Sequence, residues 1–202
     1  MVSHPLTMQN CPTRRRSEVY SHLISPHSAY YNINAHSQAA RSDYAANGGS
    51  VKGPQAGCSS FAQCDGSYKW PNTSSLNGIV FVRSMVTRAH IRDGLSNTYL
   101  IGEKYLDPDH YNTGQDGGDN QSCYQGYDVD TTRFAHPTIF RGPFRDRPGY
   151  MNINVFGSAH PSGAQFVMCD GSVHRISFSV QQDVHGKLAN RNDGQAVDVG
   201  SL

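Results

Sequence analysis

Three side chains suited to acid–base chemistry stand out in the sequence: Glu103, His160 and Asp170. They could serve a hydrolase if they met in one cleft, since such an enzyme needs a base within hydrogen-bond reach of a nucleophile. Ser158 and Ser162 lie near His160, but the chain has no G-x-S-x-G nucleophile elbow. We therefore predict that the protein is not an enzyme. Hydrogen bonds from His160 and Asp170 would instead hold a loop against a hairpin.

The hairpin in question is predicted for residues 165–180. Two apolar runs are joined there by Asp170-Gly171, a dipeptide that readily takes the positive φ values of a tight turn. A two-residue turn would place Met168 opposite Val173. Because both faces of this ribbon carry apolar residues, we expect it to be a well-covered part of a sheet.

A second turn is predicted at Asp93-Gly94, where Ser96 and Asn97 can cap the backbone before a strand at 98–102 that leads directly into Glu103. Four further elements follow from apolar periodicity and turn residues. These are a strand at 44–47 running into Gly48-Gly49, a buried strand at 78–82, a short helix at 35–40 and an amphipathic helix at 180–190.

The stretch 107–130 is rich in aspartate and contains no lysine or arginine. Its carboxylates are Asp107, Asp109, Asp116, Asp119, Asp128 and Asp130. Flexible loops with several oxygen ligands suit calcium, although the spacing is not that of an EF-hand. Calcium is the one cofactor that the residues suggest. The alternative is a loop whose aspartates cap its own turns.

Aromatic side chains accompany this acidic stretch. The tyrosines are Tyr105, Tyr111, Tyr124 and Tyr127. Their rings could stack on sugars while the carboxylates hold hydroxyl groups or calcium. A calcium- or glycan-binding extracellular module is therefore an alternative function.

The composition indicates one domain over residues 1–202, of the α+β class, with a mostly antiparallel sheet, long ordered loops and a few short helices. Fourteen Asp against two Glu favour turns over helices. A net charge of +1 argues against a dedicated nucleic-acid binder. The short run Arg14-Arg15-Arg16 is expected in a solvated loop. The sequence shows neither a transmembrane stretch nor a signal peptide at Met1.

Five cysteines leave an odd thiol if two disulfides form, and fifteen pairings are possible. The cysteines are Cys11, Cys58, Cys64, Cys123 and Cys169. Cys58 and Cys64 flank a short loop and could close on each other, and Cys169 is expected as a buried thiol. Zinc is disfavoured, because no CxxC or HxxxH pair exists to start a tetrahedral site.

Ordered motifs give the chain a resemblance to a known family. His160 is followed by nine residues and then Asp170-Gly171, an H-x9-DG pattern within 156–180. Four more segments agree with it: NCPTRR at 10–15, SDYAANGGS at 42–50, IRDGLSNTYLIGEKYL at 91–106 and HGKLANRNDGQAV at 185–197. Together they resemble a large bacterial family of unknown function, labelled prepilin-type processing-associated.

The resemblance implies more than the residues do. Members of that family typically have a type IV prepilin-like leader and a long hydrophobic helix before a mostly β head, and this chain starts where the head would start. The implied protein is a structural or surface-display subunit with a pseudopilin-like head, located in the cell envelope or outside the cell. Its implied partners are other pilin-like or envelope proteins, or copies of itself.

Overall fold

The computed structural model describes residues 2–23, 36–58, 60–195 and 197. The strands are β1 (Val19–Ser21), β2 (Gln38–Ala40), β3 (Tyr44–Asn47), β4 (Tyr99–Glu103), β5 (Thr132–Arg133), β6 (Phe144–Arg145), β7 (Gly157–Ser158), β8 (Gly163–Met168) and β9 (Val173–Ser177). The helices are α1 (Phe61–Asp65) and α2 (Gln182–Ala189). The protein is therefore α+β and rich in β-structure, as predicted. Short 3-10 turns at Thr7–Gln9, Arg88–His90, Leu95–Asn97 and Pro108–His110 interrupt the loops.

A five-stranded sheet in the order β5-β3-β4-β8-β9 organises the structure. Its pairs are antiparallel except for β3 with β5, which run parallel. The described residues also form two separate two-stranded sheets, β1-β2 and β6-β7. The core joins this sheet to helix α2, whose Leu188 and Ala189 are fully buried with Tyr99, Phe166 and Ile176.

The predicted hairpin is present as β8 and β9, but its register differs by one residue from the prediction. Val167, not Met168, is opposite Val173. The reason is a longer turn: the Gly171 N–H donates to the Met168 carbonyl, and Gly171 itself has φ 93°. A glycine at positive φ after a type I turn is the bulge of a three-residue hairpin loop. β8 is well covered, whereas β9 is an edge strand with mostly exposed residues.

The strand predicted at 78–82 is wrong, since no strand forms there. The N–H groups of Ile79 and Val80 instead both donate to the Asn47 carbonyl, at 2.9 and 3.0 Å. Gly78 approaches Gly48 so closely that an added Cβ would lie 2.1 Å from its carbonyl carbon. Apolar content alone thus indicated a strand where the backbone is used for loop packing.

Other predicted elements fare differently. The strand predicted before Gly48-Gly49 is confirmed as β3, the strand predicted after Asp93-Gly94 is confirmed as β4, and the amphipathic helix is confirmed as α2. The helix predicted at 35–40 is wrong where it can be judged, because residues 38–40 form strand β2, while residue 35 lies outside the described residues.

Cys58 and Cys64 form a disulfide, as their spacing suggested, and Cys11, Cys123 and Cys169 are free thiols. Cys169 is only partly buried, against the expectation of a buried thiol. In the described part of the chain, no helix combines the length and the apolar character needed to cross a bilayer.

Candidate functional site

Three side chains from distant parts of the sequence meet at the carboxyl end of β4, the middle strand of the central sheet. Glu103 is the last residue of β4, His160 lies in the loop between β7 and β8, and Cys11 follows the first 3-10 turn. The sheet positions Glu103, because its Oε2 accepts the N–H of Gln165 on the neighbouring strand β8 at 2.7 Å. We call Cys11, Glu103 and His160 the CEH cluster.

Backbone hydrogen bonds fix the two loop residues of the CEH cluster. The Cys11 N–H donates to the Asp43 carboxylate at 2.7 Å, which holds the N-terminal segment next to β3. The His160 N–H donates to the Ser158 hydroxyl at 3.2 Å, which stabilises the turn after β7. The positions of both side chains are therefore set by contacts outside the cluster.

The reactive atoms of the CEH cluster are close together. The His160 Nε2 lies 3.6 Å from the Cys11 Sγ and 3.5 Å from the Glu103 Oε1. All three atoms lie within 4.8 Å of one another, and among the described residues no other three His, Cys, Asp or Glu side chains form such a group. A thiol, an imidazole and a carboxylate are the side chains that ligate zinc and similar ions.

Cys11 and Glu103 are almost fully buried, whereas the His160 side chain is 31% exposed. Burial raises the pKa of the Cys11 thiol, and the nearby Glu103 carboxylate adds to the rise. A raised thiol pKa lowers the fraction of thiolate, so Cys11 is a weaker nucleophile than an ordinary exposed cysteine. Among the three side chains, His160 is therefore the one that solvent reaches.

Asp170 does not join Glu103 and His160. It lies in the hairpin turn at the far end of β8, and six strand residues span about 20 Å. Its carboxylate accepts hydrogen bonds from the Ser172 N–H at 2.8 Å and the Ser172 hydroxyl at 2.7 Å. These bonds lower the pKa of Asp170. The three residues proposed for a hydrolase therefore do not converge.

The predicted turn at Asp93-Gly94 connects two remote segments. The Asp93 carboxylate accepts the N–H groups of Asp193 and Gly194, each at 2.8 Å. Gly94 has φ 102°, and the Asn97 side-chain amide donates to the Asp93 carbonyl at 3.3 Å. Ser96 is exposed in the 3-10 turn that follows. This motif fastens the segment after α2 to the start of β4.

The acidic stretch contains a buried ion network around Asp119. Its carboxylate forms a salt bridge with Arg15 and another with Lys104, whose Nζ lies 2.7 Å away, and Arg41 lies at 3.8 Å. Asp43 binds the other side of the Arg15 guanidinium at 2.8 Å. Burial alone would raise the pKa of Asp119, but Arg15 and Lys104 outweigh burial and lower it.

The other aspartates of this stretch are used mostly in turns. Asp107, Asp116, Asp128 and Asp130 each accept at least one backbone N–H, and Asp109 is exposed. Burial raises the pKa of Asp130 to about 7. No three of the six carboxylates lie close enough together to hold one metal ion, because the CEH cluster is the sole group with that spacing among the described residues. The calcium site stays a prediction.

The four tyrosines beside the acidic stretch make internal contacts. The hydroxyls of Tyr105, Tyr111, Tyr124 and Tyr127 donate to the Tyr150 carbonyl, the Asp146 carboxylate, the His4 carbonyl and the Gly53 carbonyl. Tyr105 is fully buried as well. Binding of a glycan by these rings stays a prediction.

The expectation that Arg14 and Arg15 lie in a solvated loop is wrong. Both are buried, and Arg14 reaches Asp146 at 2.7 Å and the Lys104 carbonyl at 2.8 Å. Arg16 alone of the three is exposed. Sequence reasoning also missed Cys11 as a site residue. The signal that could have found these residues was the NCPTRR segment, which was noted for its resemblance and not for its chemistry.

Comparisons with known proteins add one finding. A family model described as "Protein of unknown function (DUF1559)" matches residues 3–183. Neither a curated protein nor a solved structure matches the chain significantly.

Proposed function

We propose that this chain, which belongs to the DUF1559 family of proteins of unknown function, is a non-enzymatic structural or surface-display subunit of the cell envelope. The proposal rests on one observation: four charged side chains of its sequence motifs, Arg14, Arg15, Asp93 and Asp170, hold the protein together through internal contacts. A catalytic or ligand-binding motif would instead present polar groups to a cleft.

The contacts of the NCPTRR motif support this structural role. In NCPTRR, the guanidinium groups of Arg14 and Arg15 are buried against Asp146, Asp43 and Asp119. A buried cation needs such partners, because an unpaired charge in the interior is strongly destabilising. The motif therefore fastens the N-terminal segment to the rest of the fold.

The turn motifs act in the same way. Asp93 binds the backbone of residues 193 and 194, and Asp170 stabilises its own hairpin turn. Such contacts build a rigid head on which exposed loops can be displayed. The resemblance to prepilin-like proteins supports the location and the partners that we propose, namely an assembly in the envelope with other pilin-like proteins or with copies of this chain.

Joint catalysis by Glu103, His160 and Asp170 is disfavoured, because Asp170 lies at the far end of β8 from the other two. We expect purified protein to show no turnover of generic esterase, phosphatase, glycosidase and peptidase substrates. Robust turnover that His160→Ala abolishes, while the matched histidine variant His174→Ala retains it, would contradict the proposal.

Cell fractionation tests the location. An antibody against the purified chain should find the endogenous protein in the envelope or extracellular fraction of the bacterium that encodes it. Crosslinking in intact cells should join it to itself or to pilin-like proteins. Recovery only from the cytoplasm, with no crosslinked partner, would refute the display role.

A further inference from the structure

The CEH cluster takes no part in the contacts that carry the proposed structural role. Its three donor atoms come from three separate elements and converge on one point, with Cys11 Sγ and Glu103 Oε1 at 3.6 and 3.5 Å from His160 Nε2. A cluster of this kind can be a catalytic relay, a structural hydrogen-bond group or a metal site. The shared ring nitrogen argues against the relay, and the Glu103 Oε1 without a hydrogen-bond partner among the described residues argues against the hydrogen-bond group.

The contacts are not those of a catalytic relay. In a nucleophile–His–acid triad, the nucleophile binds one ring nitrogen and the acid binds the other. Here Cys11 and Glu103 both approach the same nitrogen, Nε2 of His160. One ring nitrogen can donate one proton at most, so it cannot bridge the two as a relay does.

The same distances agree with ligands around a tetrahedral ion. Bond lengths of zinc sites place a thiolate sulfur and an imidazole nitrogen about 3.6 Å apart, and a nitrogen and a carboxylate oxygen about 3.3 Å apart. The observed separations are 3.6 and 3.5 Å. The third separation, between Cys11 and Glu103, is within 4.8 Å.

Glu103 supplies an independent observation. Its side chain is 1% exposed, and one oxygen, Oε2, accepts the Gln165 N–H. The other oxygen, Oε1, is buried and lacks a hydrogen-bond partner in the described part of the chain, yet it is the atom directed at His160 and Cys11. A buried carboxylate oxygen is normally satisfied, and a bound cation would satisfy this one.

We propose that Cys11, Glu103 and His160 form a binding site for a divalent transition metal, with Zn²⁺ as the best fit. A thiolate and an imidazole select zinc and similar ions over calcium and magnesium, which prefer all-oxygen sites. Three protein ligands leave a fourth position for water or another small ligand. The ion would join the N-terminal segment to β4 and to the loop before β8.

The test uses the whole chain, purified without a histidine tag, and Zn²⁺ alone as the probe in competition with a chromophoric chelator. One equivalent should bind. Cys11→Ser, Glu103→Gln and His160→Ala should each weaken binding at least about tenfold, since loss of even a supporting contact has that effect. Cys169→Ser, and Glu18→Gln at the exposed second glutamate, are matched controls that should bind as the unmodified chain does.

Cobalt(II) gives a second readout. It should produce the visible bands of a tetrahedral ion and a sulfur-to-cobalt charge-transfer band, and Cys11→Ser should lose the latter. Circular dichroism would show whether Glu103→Gln folds. If it does not, the zinc affinity of His160→Ala is the deciding measurement, because replacing the partly exposed His160 side chain disturbs the fold less.

Alkylation of the unmodified chain provides a test without variants. Zn²⁺ should slow iodoacetamide modification of Cys11 at least about tenfold and leave Cys123 and Cys169 unaffected, as mass spectrometry of peptides would show. The proposal is overturned by absence of stoichiometric zinc uptake, by uptake that Cys11→Ser and His160→Ala do not change, or by Cys11 alkylation that proceeds without zinc and is not slowed by it.

Discussion

Replacing Asp119 with asparagine should remove a large part of the protein's stability. The carboxylate is 2% exposed and binds Arg15 and Lys104 directly, while Arg41 lies 3.8 Å away. Asparagine has nearly the same shape but carries no charge. The substitution therefore leaves buried cations without their shared counter-charge and creates no large cavity.

The size of the effect follows from the burial of the partners. Removing one member of a buried ion pair costs about 3–5 kcal/mol, because the remaining charge is left uncompensated. Asp119 serves two cations at bonding distance, although Asp43 still neutralises Arg15. We expect a loss of about 3–5 kcal/mol in the free energy of unfolding, against a typical total of about 5–15 kcal/mol.

Urea unfolding followed by near-ultraviolet circular dichroism measures this loss. The matched control is Asp109→Asn, which makes the same chemical change at an exposed aspartate of the same stretch. Substitutions at such surface positions usually alter stability by less than about 0.5 kcal/mol. A difference of less than about 1 kcal/mol between the two variants would refute the reasoning.

A double-mutant cycle would assign the loss to the ion pair. Lys104→Met removes the cation that Asp119 binds at 2.7 Å. If the buried charges are coupled, the double variant should lose less stability than the sum of the two single variants. Additive losses would show that Asp119 acts through its size or its backbone and not through Lys104.

Two further predictions concern pH and calcium. Burial lowers the pKa of His185 to about 3, so its contribution to stability is complete above the unfolded pKa of about 6.5 and is lost as the pH falls toward 3. Stability should then fall by up to about 1.4 kcal/mol per pH unit below pH 6.5 from this group, and His185→Gln should flatten the slope in urea unfolding series. Excess calcium should not raise the melting temperature, because carboxylates of the 107–130 stretch already accept protein hydrogen bonds. A rise in melting temperature would support a calcium site instead. Calcium at a hundredfold excess over its dissociation constant would stabilise the folded state by about 2.7 kcal/mol.

Local signals in the sequence were sufficient for much of the sheet. Asp170-Gly171 located the hairpin, and Gly48-Gly49 marked the end of β3. The register was off by one because the same dipeptide suits a two-residue turn and a three-residue turn with a bulge. Which of the two forms depends on the backbone pairing of Met168 with Ser172, a contact that composition does not encode.

The CEH cluster could not be predicted from spacing, since its members meet only after the sheet has formed. Zinc motifs with short spacings place two ligands on one turn, whereas Cys11 and His160 are 149 residues apart. The buried arginines escaped prediction for a related reason. A short basic run usually lies in solvent, and two acidic partners of these arginines, Asp146 for Arg14 and Asp119 for Arg15, are more than a hundred residues away.

The N-terminal segment has a consequence for the order in which this protein folds. Arg14 binds Asp146, and Cys11 meets His160, so residues 11–14 depend on residues that are synthesised more than a hundred positions later. Contacts of such high sequence separation slow folding, because a long loop must close before they form. The ribosome must therefore release residue 160 before the segment can dock. A nascent chain that ends before residue 146 would leave Arg14 without Asp146 and Cys11 without His160.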